Sequence, residues 1–253
     1  MSEPLVLGID LGTSAVKVLA SAADVQILAT GSATFATISE VPGQAEQQPS
    51  DWLAALRTAI CALDTALRPR TPDWRRRIAA IGVAGQLPTL VCLGKSGVLG
   101  RAITWKDARA DESTALRLDD RRRRALYEQT GMPLDGRYLG PMFCHHWLAR
   151  RTEVECILSA KDFLVYVLTG QRVTDPSTAA GYGAFDLSTG AFSPALQELW
   201  QLPADSLPAV RSAHSPAGPL TSVGAELLGL PAGIPVTVGA ADSVSSALAM
   251  GGL

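Results

Sequence analysis

Apolar residues in this chain fall into short runs separated by polar turns, and the spacing within each run names an element. Leu5 to Ile9 forms a run that reads as a buried strand and closes on Asp10; the chain turns through Gly12, Thr13 and Ser14, then resumes as a second apolar run to Ala20. Val25 to Thr37, with Val25, Ile27 and Ala29 alternating, reads as a third strand, so the opening is an antiparallel meander. Trp52, Leu53, Leu56, Ile60, Leu63 and Leu67 recur at helical spacing, with Ser50 or Asp51 available as the cap. Ile78 to Val83, bounded by three arginines and Gly85, has the profile of a buried parallel strand.

Further along, Leu90 to Leu93 and Val98 to Ile103 flank Gly94-Lys95-Ser96-Gly97, which predicts a hairpin. Arg109 to Gln129, Phe143 to Arg150 and Val154 to Leu168 read as helices, the last ended by Thr169-Gly170. Pro194 to Trp200 is a short helix, and Pro216 to Pro235 holds a small strand. Val236 to Asp242 is a final apolar strand that closes on an acid, followed by a helix from Ser243 to Met250. A strand meander, a helix and a strand open a ribonuclease-H-like domain. The fold class expected is therefore α/β, with a mixed five-stranded sheet and flanking helices.

Composition narrows the partners. The 253 residues are 47% hydrophobic and 18% charged, with a formal net charge of −2, so the balance of charge offers no general attraction to nucleic acid or anionic membranes. Arg121 to Arg124 form a basic run, but Asp111, Glu112, Asp119, Asp120 and Glu128 surround it and no aromatic residues interleave, which describes a solvated helix face. No apolar run reaches the roughly 20 residues that span a bilayer. Cys61, Cys92, Cys144 and Cys156 lack paired spacing and have apolar neighbours; they read as buried thiols in a reducing, cytoplasmic setting. Adjacent His145 and His146 point about 100° apart on a helix, which argues against a shared metal. A small molecule is the expected partner.

The turn after the first strand carries the chemistry. Gly8 and Gly12 allow close backbone approach, Thr13 and Ser14 add hydroxyls beside backbone N–H donors, and Asp10 is placed to hold a hydrated Mg²⁺ near phosphate. An ordinary hairpin turn uses the same residue types. The pattern of Gly8 to Ser14 with Lys17 resembles the first phosphate segment of the actin, Hsp70 and sugar-kinase superfamily; it is not a Walker loop, because no G-K-[ST] follows and the turn leads into a strand.

In chain order, Gly8 to Ser14, Pro42 to Gln47 ahead of Trp52, Ile81 to Gln86, Trp105-Lys106-Asp107-Ala108-Arg109, Lys161 to Leu164 with Leu168 to Gly170, Thr174 to Asp186 and Gly239 to Asp242 together resemble the N-terminal domain of the FGGY carbohydrate kinases, closest to the xylulose kinases. The resemblance implies ATP- and Mg²⁺-dependent phosphorylation of a sugar or polyol hydroxyl. It makes Asp242 the catalytic base, Asp10 the metal residue, Gly12, Thr13 and Ser14 the phosphate segment, and Gln86, Leu87, Pro88, Trp105, Asp107 and Arg109 the sugar-binding set. The competing class is a non-catalytic sugar- or nucleotide-sensing module on the same fold. Leu87-Pro88-Thr89 stands where xylulose kinases usually place Met-His-Gly, Ser243 where they mostly show Asn, and Met142 where Lys is common, so a re-lined sugar pocket is expected.

The resemblance also implies a C-terminal domain supplying the adenosine pocket, so residues 1–253 are expected to be the sugar-binding half, inactive alone. Val244, Leu248, Met250 and Leu253 are then expected to be left partly uncovered, and self-association, as a homodimer, is left open.

Overall fold

The computed structural model describes residues 3–251, which leaves the expectation for Leu253 outside the described residues. The meander is β1 (Leu5–Leu11), β2 (Ala15–Ala22) and β3 (Ile27–Thr34). The two-residue β4 (Glu46–Gln47) precedes α1 (Pro49–Leu67), and the single turn α2 (Trp74–Arg77) delivers the chain to β5 (Ile78–Gly85). Here β1 pairs antiparallel with β2 and parallel with β5, which makes the sheet mixed as its apolar patterning requires.

Along β1, Leu5, Leu7, Ile9 and Leu11 are buried, whereas Val6, Gly8 and Asp10 take the opposite, more open face. The buried face receives α1 through Trp52, Leu56, Ala59, Ile60 and Leu63. At Gly31 the helix backbone lies directly on β3: a Cβ there would stand 2.1 Å from the Ala59 carbonyl oxygen, so no other residue fits without moving the helix. The helix begins at Pro49, whose missing N–H is no loss in a first turn, with Gln48 as cap residue; neither Ser50 nor Asp51 takes that place.

A second sheet follows from β6 (Thr89–Gly94), β7 (Gly97–Val98) and β8 (Ala102–Thr104), in the order β4-β8-β6-β7. The charged segment is two helices, α3 (Asp111–Arg117) and α4 (Asp120–Thr130), because the Asp119 side chain caps a new helix by accepting from the Arg122 N–H. Next, α5 (Leu139–His146) passes into a 3₁₀ segment over Leu148–Glu153. The expected helix from Val154 is instead β9 (Cys156–Leu158), paired with β6, and then α6 (Ala160–Thr169), closed by Gly170 in the left-handed conformation.

The loop-rich stretch contains β10 (Val173–Thr174), α7 (Pro176–Ala180), β11 (Phe185–Asp186), β12 (Ala191–Phe192), α8 (Pro194–Leu199) and β13 (Ala209–Val210). The chain then returns to the main sheet with β14 (Pro216–Pro219), α9 (Ser222–Leu228), β15 (Pro235–Thr237), β16 (Ala240–Ala241) and α10 (Asp242–Ala249). The main sheet runs β14-β15-β5-β1-β2-β3, with β16 also on β5. The sheet is mixed as expected but has seven strands instead of five, because β14 adds an edge and the final strand forms two separate pieces, β15 and β16. The final strand is broken in two at Val238 and Gly239. Gly239 has φ +76° and passes so close to β5 that a Cβ would stand 1.9 Å from the Val83 carbonyl oxygen.

Cys92, Cys144 and Cys156 are buried, but Cys61 is exposed, since it falls on the outer face of α1. Among the described residues no helix is long and apolar enough to cross a membrane.

Candidate active site

The turn between β1 and β2 is closed by the Gly12 N–H, which donates to the Ala15 carbonyl oxygen at 3.1 Å and leaves Thr13 and Ser14 at the tip. One turn edge is acidic. Asp10 sits across from Lys17 in the β1–β2 ladder, half-buried, with its Oδ1 enclosed and without a hydrogen-bond partner among the described residues. Burial pushes the Asp10 carboxyl above the ordinary aspartate range; Lys17 pulls it down and Asp242 pushes it up. Asp242 thus bears on Asp10, although the whole domain separates them in sequence.

Their proximity follows from register. On β5, Ala84 pairs with Asp10 on one side and with Ala240 on the other, and Gly85 pairs with both Leu11 and Ala241. Asp242 thus emerges at the same level of the sheet as the phosphate-sized turn, as the first residue of α10. No side chain caps this helix; the Asp242 Oδ1 accepts from the Ser243 N–H at 2.6 Å. The open face beside the acids bears a cavity of about 710 Å³, lined in part by Gly8, Asp10, Lys17, Gly82, His214 and Leu248.

A buried carboxamide connects this edge to the second sheet. Gln47, fully enclosed, donates from Nε2 to the Thr13 carbonyl oxygen at 2.7 Å and to the Thr37 hydroxyl at 2.9 Å. Its Oε1 accepts from Trp52 Nε1 at 3.0 Å and from Gln86 Nε2 at 2.9 Å. Gln86 is also fully enclosed; its backbone N–H donates to Leu11, and its Oε1 has no partner among the described residues. Trp105 is half-buried and donates from Nε1 to the Thr13 hydroxyl at 3.2 Å. Gln86, Trp105, the turn, Asp10 and Asp242 therefore form one connected region.

Asp107 and Arg109 form a neighbouring but separate knot. The enclosed Asp107 accepts from the Ala45 N–H at 2.9 Å, while Arg109 grips it through Nε and Nη2 and reaches Glu46 at 2.6 Å. Burial opposes the charge on Asp107, but the donors around it outweigh burial. The Arg109 fork and the Ala45 N–H, with the His146 ring nearby at 3.7 Å, hold the carboxyl far below the usual range. Neither Asp107 nor Arg109 hydrogen-bonds the turn or Asp242 among the described residues. Leu87 and Pro88 are half-buried, and Leu87 lies against Gly181, where an added Cβ would meet its Cδ1 at 2.5 Å. An apolar wall thus stands where a polar side chain was the family expectation.

Two participants were not among the sequence-derived site residues: Gln47 and Lys161. Both are polar and fully enclosed. Their signal in the sequence was membership of a matching segment, without any indication that their side chains turn inward.

Comparison with known proteins gives the same architecture. The chain is 29% identical over 249 residues to a xylulose kinase of Klebsiella pneumoniae, covering 97% of this chain and 50% of that protein. It is 31% identical over 252 residues to a glycerol kinase of Methylobacterium nodulans, covering 94% and 48% respectively. The crystal structure of a xylulose kinase from Rhodospirillum rubrum superposes with a TM-score of 0.89 at 30% identity, covering 98% of this chain and 51% of that one. The chain thus spans about half the length of the curated relatives it matches. Residues 5–249 match the model of the N-terminal domain of the FGGY carbohydrate kinases, and the chain belongs to that family.

Proposed function

We propose that the full-length protein carrying this chain transfers a phosphoryl group from ATP to a hydroxyl of a sugar or polyol, and that residues 1–253 are the sugar-binding half. The observation that carries this reading is that β1, with Asp10 near its end, and β16, immediately before Asp242, pair with the same residues of β5, beside a turn that carries hydroxyl and N–H donors. Phosphoryl transfer needs a carboxylate to accept the hydroxyl proton and a cluster of positive and dipolar groups on the phosphates. Asp242 takes the first role. The turn takes the second: Gly12 closes it, and Thr13 and Ser14 at its tip offer backbone N–H groups and hydroxyls.

The residues suit Mg²⁺ held chiefly by phosphate and water. Among the described residues Asp10 offers an enclosed carboxylate oxygen with no other partner, and no group of three or more His, Cys, Asp or Glu side chains makes a self-sufficient metal cage. When bound, the ion neutralises phosphate charge. The sugar side is assigned to Gln86, whose enclosed Oε1 has no partner among the described residues, to the Trp105 ring, to the apolar wall of Leu87 and Pro88, and to Asp107 with Arg109. The enclosure of Asp107 supports a role in fixing the pocket wall and, through Arg109, its charge.

The test is Asp242→Ala in the full-length protein, with sugar-dependent ADP release and calorimetric sugar binding both measured. Loss of turnover with binding retained supports the base. Unchanged kcat removes it. Sugar binding without any ADP release in the unmodified protein identifies a sensing module instead.

A further inference from the structure

The approach to Asp242 is held by a buried ionic group that the proposed chemistry does not itself use. Lys161, in the first turn of α6, is 0% exposed. Its ammonium donates to the Val238 carbonyl oxygen at 2.8 Å and forms ion pairs with Asp162 Oδ1 at 2.8 Å and Asp175 Oδ1 at 3.2 Å. A lone buried ammonium would be strongly disfavoured; two carboxylates and a carbonyl dipole make this one stable and fix its direction.

The group continues on both sides. Asp162 accepts from the Tyr182 hydroxyl at 2.8 Å, which anchors it to the loop that follows α7. Asp175 accepts from the N–H and hydroxyl of Ser177. The Ser177 oxygen in turn accepts from the Ala241 N–H at 3.1 Å. Lys161 therefore grips the chain at Val238 and Ser177 grips it at Ala241, on either side of the Gly239 bend and immediately before Asp242.

Among the described residues α10 has no side-chain cap; backbone bonds from Val238 and Gly239 to Ser215 and Ala213 hold the bend, and the contacts of Lys161 and Ser177 with the short β16 pairing fix the last step to Asp242. We propose that Lys161, Asp175 and Ser177 are positioning residues that hold Asp242 in line with the reacting hydroxyl. This rests on the reading of Asp242 as the base. The geometry suits that role because rates of transfer fall steeply with small displacements of a positioned base, whereas ground-state sugar contacts made elsewhere do not.

The experiment compares Ser177→Ala, Lys161→Met and Asp242→Asn in the full-length protein by sugar-dependent ADP release, sugar KM and hydrogen exchange of the Ala241 amide. Ser177→Ala removes the acceptor and leaves the ionic group intact. It should speed Ala241 exchange by about tenfold or more. It should also lower kcat by roughly 10- to 100-fold with sugar KM within about threefold. Added to Asp242→Asn, it should produce little further loss, because both changes act through one group. Lys161→Met should show the same pattern more strongly; should it fail to fold, Ser177→Ala alone decides. An inactive Asp242→Asn beside a Ser177→Ala variant with normal kcat overturns the positioning role and leaves the base in place. An Asp242→Asn variant with normal kcat overturns both.

Discussion

The Trp105 indole N–H donates to the Thr13 hydroxyl at 3.2 Å, which joins the loop after β8 to the turn between β1 and β2. This contact couples the proposed sugar wall to the proposed phosphate segment. A cycle of Trp105→Phe, Thr13→Val and the double variant, measured by urea unfolding, should give a coupling energy of about 1 kcal/mol. Additive effects would mean that the bond is not made in solution.

Asp10 should be a liability to stability and an asset to binding. Because its folded pKa is raised, ionisation at neutral pH is less favourable in the fold than in the unfolded chain. The penalty is present above the raised pKa and disappears below the ordinary aspartate value. Asp10→Asn should therefore raise Tm at pH 7 and leave it nearly unchanged at about pH 3. Equal shifts at both pH values would exclude an electrostatic origin.

Asp107 works in the opposite sense. Its folded pKa is depressed, so its contribution is complete above the unfolded value near 4 and is lost as pH falls toward the folded one. Asp107→Asn should lower stability at pH 7 and flatten the loss between about pH 5 and pH 2. Acid titration of unfolding by circular dichroism checks this. A parallel downward displacement of the whole curve would point to lost packing alone.

Gln47 satisfies four groups at once, two of them enclosed side chains. Gln47→Leu keeps the volume but strands Trp52 Nε1, Gln86 Nε2 and the Thr13 carbonyl. The expected loss is about 3 kcal/mol or more by denaturant unfolding, with Gln86→Leu in the same background adding less than it does alone. Simple additivity would contradict a shared network.

Much of the architecture was legible because burial imposes strict spacing. The apolar run from Leu5 to Ile9, closed by Asp10, marked β1, and the helical period over Trp52 to Leu67 identified α1. Cys156-Ile157-Leu158 was read as helix because a short buried strand that runs straight into an apolar helix leaves no change of period to detect. The break at Gly239 was hidden for a different reason: it depends on the closeness of Val83, a partner far away in sequence. Site residues at strand ends were visible as acids terminating apolar runs. Gln47 and Lys161 were not, since a polar residue is presumed to face water until its partners are known, and theirs come from other elements.

The shared pairing of Ala84 also bears on the order in which the molecule assembles. The meander of β1 to β3 closes over tight turns and can form early, whereas β16 reaches β5 only after a loop of domain size has been closed. Asp10 therefore waits for Asp242. In pulse-labelling during refolding, amides of β1 and β2 should gain protection before that of Ala241, so that most of the shape exists while the two acids are still apart. Until that last short strand docks, the chain is a scaffold with half of the proposed site.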